Sequence, residues 1–226
     1  MPMAPADAAQ LVAATAAYVR DVLTGEGSGH DWWHVARVTA LARRIAAAEG
    51  ADPLVTELAA LLHDIADYKD TGDEESGARA TTAWLQAQGA PPELVTAVAG
   101  IVRDLSFKGA GVPEAELGLA GRCVRDADRL DALGAIGIAR TFAWGGSRGR
   151  ALWDPDHPPQ RHDTTAAYRA SQADPNASSV NHFHEKLLLL ADRMSTPTGL
   201  RIGRRRHEVM ERFLADFHAE WDGQDG

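Results

Sequence analysis

Between Leu58 and Asp67 the chain places polar groups where a core is expected. Leu58, Leu61, Leu62 and Ile65 recur at helical spacing and call for burial, while His63, Asp64 and Asp67 interrupt them. A carboxylate is almost never left unpaired in a core, because removing it from water is costly. Any fold of this chain must therefore bring the His63-Asp64 pair a partner. A bound divalent cation is one of the few groups that serves both neighbours.

The surrounding pattern is helical from end to end. A first helix is expected from about Asp7 to Leu23, stopping at Thr24-Gly25-Glu26-Gly27. Asp31 reads as the cap of a second helix that ends near Gly50, with His34, Val38, Leu41 and Ile45 on one face. His34 therefore points inward. Asp52-Pro53 starts a third helix, which carries His63 and Asp64. A fourth helix is expected from Ser76 to Gln88 and a fifth from Glu93 to Leu105. A long apolar stretch from Leu117 to Trp144 contains Asp126, Asp128 and Asp131, and Gly134 and Gly137 weaken its helix. Gly145 to Asp163 is irregular and rich in Gly, Pro, Arg and His, which favours a functional loop or lid. The final helices are expected at Ser179 to Met194 and Leu200 to Trp221. No alternating strand pattern of any length occurs, so the fold class is all-α.

At 226 residues and 45% hydrophobic, the chain fits one generous domain, residues 1–226, with a core of about 20–145 and C-terminal helices at 164–222 packed on it. The single cysteine, Cys123, excludes an intrachain disulfide, suits a reducing cytoplasm and reads as a small core residue. A net charge of -9 argues against duplex nucleic acid as a partner. No secretory signal and no stretch able to span a bilayer is visible, so the expectation is a cytoplasmic protein without a membrane partner. A homo-oligomer stays open.

Four residues could converge: His34, His63, Asp64 and Asp128. A mixed imidazole and carboxylate set suits one divalent transition metal (Mn, Ni, Co, Fe or Zn) better than Ca²⁺ or Mg²⁺. Four protein ligands leave open positions for water or substrate if the metal is octahedral, the mark of a catalytic site.

The order His34, His63-Asp64, Asp128 resembles the H…HD…D signature of the HD-domain metal-dependent phosphohydrolase superfamily. Gly29–Val38, Leu62–Asp67, Ser106-Phe107-Lys108-Gly109, Asp126–Gly137 and Asn181–Leu187 are similar to one branch of it, the single-domain nucleotide pyrophosphohydrolases. The resemblance implies a compact multi-helix bundle with a metal site between core helices. It also implies hydrolysis of nucleotides, including nucleoside triphosphates split to a monophosphate and pyrophosphate. Among Asp126, Asp128 and Asp131, the superfamily pattern selects the Ala127-Asp128 pair. Asp131, one turn later, could orient Arg129 or a water. Asp126 points about 200° away around the helix and is expected to be solvated or salt-bridged.

A mechanism follows from the charges. A metal supplies hydroxide near neutral pH, which attacks phosphorus in line with the leaving oxygen. Asp67, one turn after Asp64, is a candidate to take the proton or hold the water, or else to orient His34 or His63. His30, one turn before His34, is a candidate to touch the phosphate or donate to the leaving group, or else to anchor its loop. Lys108 is the first candidate for holding phosphate and Arg37 the second, followed by Arg148, Arg150, Lys186 and Arg129. Arg204-Arg205-Arg206 fan over different faces and read as a solvated surface. Trp32, Trp33, Trp144 and Trp153 are candidates to stack on a base, against core packing. Pyrophosphohydrolysis is the favoured reaction. A nucleotide monophosphatase, a cyclic-nucleotide or guanosine-tetraphosphate hydrolase, a nucleotide-sensing metal-binding module and a helical scaffold are the alternatives.

Overall fold

Side-chain caps from Asp31, Asp52, Ser178 and Thr196 start four of the described helices. A computed structural model describes residues 3–24, 31–66, 75–105, 115–160, 174 and 176–224. Within them lie nine α-helices and no strand, as the patterning requires. They are α1 Pro5–Val22, α2 Trp32–Glu49, α3 Pro53–Leu62, α4 Ser76–Ala87, α5 Pro92–Leu105, α6 Leu119–Asp131, α7 Gly134–Ser147, α8 Ser179–Glu185 and α9 Pro197–Trp221. Asp31 accepts from His34 N and Asp52 from Val55 N, each at 2.9 Å, so both carboxylates cap as expected. Gly50, at φ 76°, closes α2. None of the described helices is long and apolar enough to cross a membrane.

The chain divides into two compact units. Among the described residues, those of 3–105 and 115–127 form one, and those of 128–224 the other. In the first, α3 packs against α1, α2 and α5, and α5 packs on α4. Its centrality follows from its sequence: Thr56, Leu58, Ala59, Ala60, Leu61 and Leu62 are all buried, leaving almost no polar face. Trp84 stacks on Tyr18 with ring centroids 3.9 Å apart, and its indole N–H donates to Thr15 Oγ1. Cys123 is buried, and burial first, then Asp126 and Glu49, pushes its thiol up to about 11.

In the second unit α9 packs against α7, and α8 also packs against α7. Phe142, Phe183, Phe213 and Phe217 form an aromatic cluster there, with ring centroids 5.7–6.4 Å apart.

Three expectations change. The Leu117–Trp144 stretch is two helices rather than one weakened helix. Leu133 is extended and Gly134 takes φ 73°, a backbone that other residues adopt only with strain. Gly137 then allows α7 to pass close to the carbonyl of Ala132. The expected helix Ser179–Met194 ends at Glu185, because Lys186 leaves the helical region at φ -141°; two 3₁₀ turns follow, Leu187–Leu189 and Ala191–Arg193. Finally, α3 stops at Leu62, so His63 and Asp64 stand just past its C-terminus rather than within it.

Candidate metal centre

The end of α3 is built by His63 itself. A helix terminus leaves carbonyls without intrahelical partners. His63 Nδ1 lies 2.8 Å from the carbonyl of Ala60, one such group. A carbonyl only accepts, so Nδ1 carries the hydrogen. In the neutral imidazole Nε2 then presents a lone pair, the arrangement that prepares a histidine for a metal. Ile65 N donates to Leu62 O at 3.2 Å and tightens the chain into the turn that carries Asp64.

His34 comes from the first turn of α2, where the Asp31 cap sets its backbone. It is 1% exposed and shares the buried stripe of Val38, Ala42 and Ile45, as the periodicity requires. Leu41, expected on the same face, is only half-buried. His34 Nε2 lies 3.3 Å from His63 Nε2. Asp64 Oδ2 stands 3.3 Å from the first nitrogen and 3.5 Å from the second. Asp128, on α6, joins the two histidines: one donor atom from each of His34, His63 and Asp128 lies within 4.8 Å of the others.

The spacings among His34, His63 and Asp64 fit a cation. Donors about 2.0–2.2 Å from one ion, at angles between octahedral and tetrahedral, stand roughly 2.8–3.6 Å apart. With Nδ1–H committed to Ala60, His63 Nε2 and Asp64 Oδ2 are both acceptors, and a positive ion relieves that contact. Two imidazoles with carboxylates form a borderline donor set, suited to Mn²⁺, Fe²⁺, Co²⁺, Ni²⁺ or Zn²⁺. His34, His63 and Asp128 could thus hold a metal ion, with Asp64 beside them.

Comparison with known proteins agrees. A family model described as the HD domain matches residues 32–133. YpgQ of Bacillus subtilis is 35% identical over 209 residues, 92% of each chain. This chain belongs to the HD domain superfamily. Among solved structures, a protein from Lactobacillus plantarum superposes with TM-score 0.80 at 36% identity, covering 95% of this chain and 98% of that one. An HD-superfamily hydrolase from Bacillus thuringiensis superposes with TM-score 0.76 at 37% identity, covering 96% and 100%. YpgQ in complex with ADP superposes with TM-score 0.73 at 32% identity, covering 95% and 100%. The HD match begins at the first residue of α2 and ends just after α6, so it encloses His34, His63, Asp64 and Asp128.

The other sequence candidates of this HD protein are placed unevenly. His30, Asp67 and Lys108 lie outside the described residues. Arg37 is half-buried on α2. Arg148 is exposed, with its guanidinium 5.5 Å from the centre of the Trp144 ring. Lys186 is half-buried at the end of α8. Asp126 is 0% exposed, which removes the solvated alternative and leaves the salt-bridged one; α6 buries more of its circumference than its sequence suggests. Asp131, 1% exposed, pairs with Arg140 at 2.6 Å, while Arg129 donates to the carbonyl of Arg193. Arg204 and Arg205 are exposed as expected, but Arg206 donates to the carbonyl of Leu130. Trp33 is 62% exposed, and Trp153 packs edge-on to Trp221.

Sequence reasoning singled out no role for His182. Burial first, then the charges of Lys186 and Arg150, lowers its imidazole to about 3, and its Nδ1 is enclosed without a hydrogen-bond partner. Only its place one turn before Lys186 hinted at this.

Proposed function

We propose that this HD protein is a metal-dependent phosphohydrolase that splits a nucleoside triphosphate into a monophosphate and pyrophosphate. The observation that carries the reading is the triangle of His34 Nε2, His63 Nε2 and Asp64 Oδ2 at 3.3–3.5 Å, with Asp128 in reach of both histidines. The HD-superfamily hydrolase of Bacillus thuringiensis and the ADP complex of YpgQ support hydrolase chemistry and a nucleotide ligand.

His34, His63, Asp64 and Asp128 would hold one divalent ion, with Mn²⁺ the first choice. When bound, that ion would supply the Lewis acidity that makes a water nucleophilic near neutral pH. The Ala60 carbonyl keeps His63 in the tautomer that presents Nε2. In the reaction, a bond forms between the water oxygen and the α-phosphorus, and the bond from that phosphorus to the bridging oxygen of pyrophosphate breaks. Asp67 takes the proton from the attacking water, and His30 donates to the departing oxygen. Lys108, Arg37, Arg148 and Lys186 balance the phosphate charge. The substrate is a small soluble nucleotide, and the site of action is the cytoplasm.

Product analysis tests the reading. With Mn²⁺ and a panel of nucleoside triphosphates, the wild type should release pyrophosphate and Asp64→Ala should not. Orthophosphate or a linearised nucleotide as the sole product would replace pyrophosphohydrolysis with another cleavage. Equal turnover by the variant would remove the metal centre from catalysis.

A further inference from the structure

Ionisable residues crowd the last turns of α6. Asp126 is 0% exposed, Arg129 9% and Asp131 1%, with Asp128 half-buried among them. Burying charge is costly, and replacing a buried ion pair by apolar residues is often neutral or stabilising. Stability alone therefore does not account for this turn. Its hydrogen bonds point to a different task.

Arginines from three helices hold the end of α6. Arg206, on α9, donates to the carbonyl of Leu130, which also accepts from Leu133 N at 3.1 Å. A carbonyl oxygen has two lone pairs, so both bonds form at once. Carbonyls at a helix end lack α-helical partners, and a cation there also meets the negative pole of the helix. Arg140, on α7, donates to Asp131 Oδ2 at 2.6 Å. Arg129, on α6 itself, donates to the carbonyl of Arg193 at the close of the second 3₁₀ turn. Gly134 makes room for this clamp: a Cβ there would stand 3.1–3.2 Å from Cγ and Cβ of Arg206. Ala132 N, donating to Arg129 O at 3.2 Å, tightens the same turn.

Asp128 lies inside the clamped turn. Arg129 is its chain neighbour, and Asp131, three residues on, shares its side of the helix. Arg140 commits Asp131 to α7, while a carboxylate oxygen of Asp128 lies within 4.8 Å of donor atoms of His34 and His63. Helix ends fray. A functional side chain must be held within about 0.5 Å of its productive position, by supporting residues that are themselves fixed.

We propose that Arg206 and the Asp131–Arg140 pair are positioning residues, which fix the last turn of α6 so that Asp128 meets a divalent cation. Arg206 acts through the Leu130 carbonyl, and Arg140 through Asp131. The proposal rests on the reading of His34, His63, Asp64 and Asp128 as a metal centre.

Mn²⁺ affinity of the full chain tests it, read from the electron paramagnetic resonance of free Mn²⁺ well below the Tm of every variant. Arg206→Met keeps the apolar stem and removes the donor, and Asp131→Asn removes the charge while keeping the shape. Each should weaken Mn²⁺ on the order of tenfold, the lower end for loss of a group that supports a metal ligand. Arg206→Lys, which keeps a cationic donor, should bind more tightly than Arg206→Met. Phe213→Leu, in the aromatic cluster of the same unit, should lower Tm and leave the Mn²⁺ affinity of the folded protein unchanged. Asp131→Asn carries the test by itself if Arg206→Met does not fold. Wild-type affinity in Arg206→Met and Asp131→Asn, or an equal loss in Phe213→Leu, overturns the positioning role and leaves the metal centre standing. A wild-type protein that takes up no Mn²⁺ overturns the metal centre, and the proposal with it.

Discussion

Asp64→Asn separates a metal centre from a hydrogen-bonded core cluster. The wild-type carboxylate stands 3.3 and 3.5 Å from two imidazole nitrogens, one of which presents a lone pair. Both nitrogens face Oδ2, where asparagine places either an oxygen that accepts from His34 Nε2 or an N–H that donates to His63 Nε2. The metal-free fold should therefore stay within about 1 kcal/mol of wild type, the scale of one hydrogen bond. Metal binding should change far more. At a hundred times its Kd, an ion stabilises the native state by about 2.7 kcal/mol. For a chain of this size that raises Tm by roughly 5–11 °C. If the substitution weakens the ion about a hundredfold, the upper end for loss of an outer-shell partner, the same Mn²⁺ concentration contributes only about 0.4 kcal/mol. Differential scanning fluorimetry with Mn²⁺ and with EDTA reads both quantities. A wild-type Tm indifferent to Mn²⁺, or equal shifts in the two proteins, would refute the reasoning.

Three further outcomes follow from packing and charge. Gly137→Ala places a methyl against the carbonyl of Ala132 and should cost about 1–3 kcal/mol; an unchanged denaturation midpoint would mean that the α6–α7 junction yields freely. His182 is lowered from 6.5 to about 3, so its folded form resists protonation. Its contribution is complete above pH 6.5 and declines as pH falls from 6.5 towards 3, by up to about 1.4 kcal/mol per pH unit. Urea titrations should show His182→Gln losing that increment of acid sensitivity, and identical pH slopes in both proteins would count against it. Cys123, buried with its thiol pushed up to about 11, should resist iodoacetamide at pH 8 until the protein unfolds; labelling of the native state at the unfolded rate would contradict this.

The fold was readable where local chemistry acts within one turn. Asp31 and Asp52 announce their helices because a carboxylate three residues upstream of an N–H is a complete interaction. His34 was legible because one apolar stripe carries it inward. The end of α3 was not legible, since the capping group is an imidazole that periodicity assigns to the helix interior. The α6–α7 break depends on Gly134 adopting a positive φ, which glycine permits but does not announce. Burial of Asp126 depends on what surrounds α6, and the helix wheel carries no information about that. His182 stayed hidden for a related reason: Arg150, one of the charges that act on it, lies in a segment with no periodicity at all.

Anomalous diffraction from Mn²⁺-soaked crystals is the most direct measurement. A single strong peak should lie about 2.0–2.3 Å from His34 Nε2 and His63 Nε2, with carboxylate oxygens of Asp64 and Asp128 completing the shell. A map with no peak there, or with manganese bound only elsewhere on the chain, would contradict a metal centre built from these four side chains.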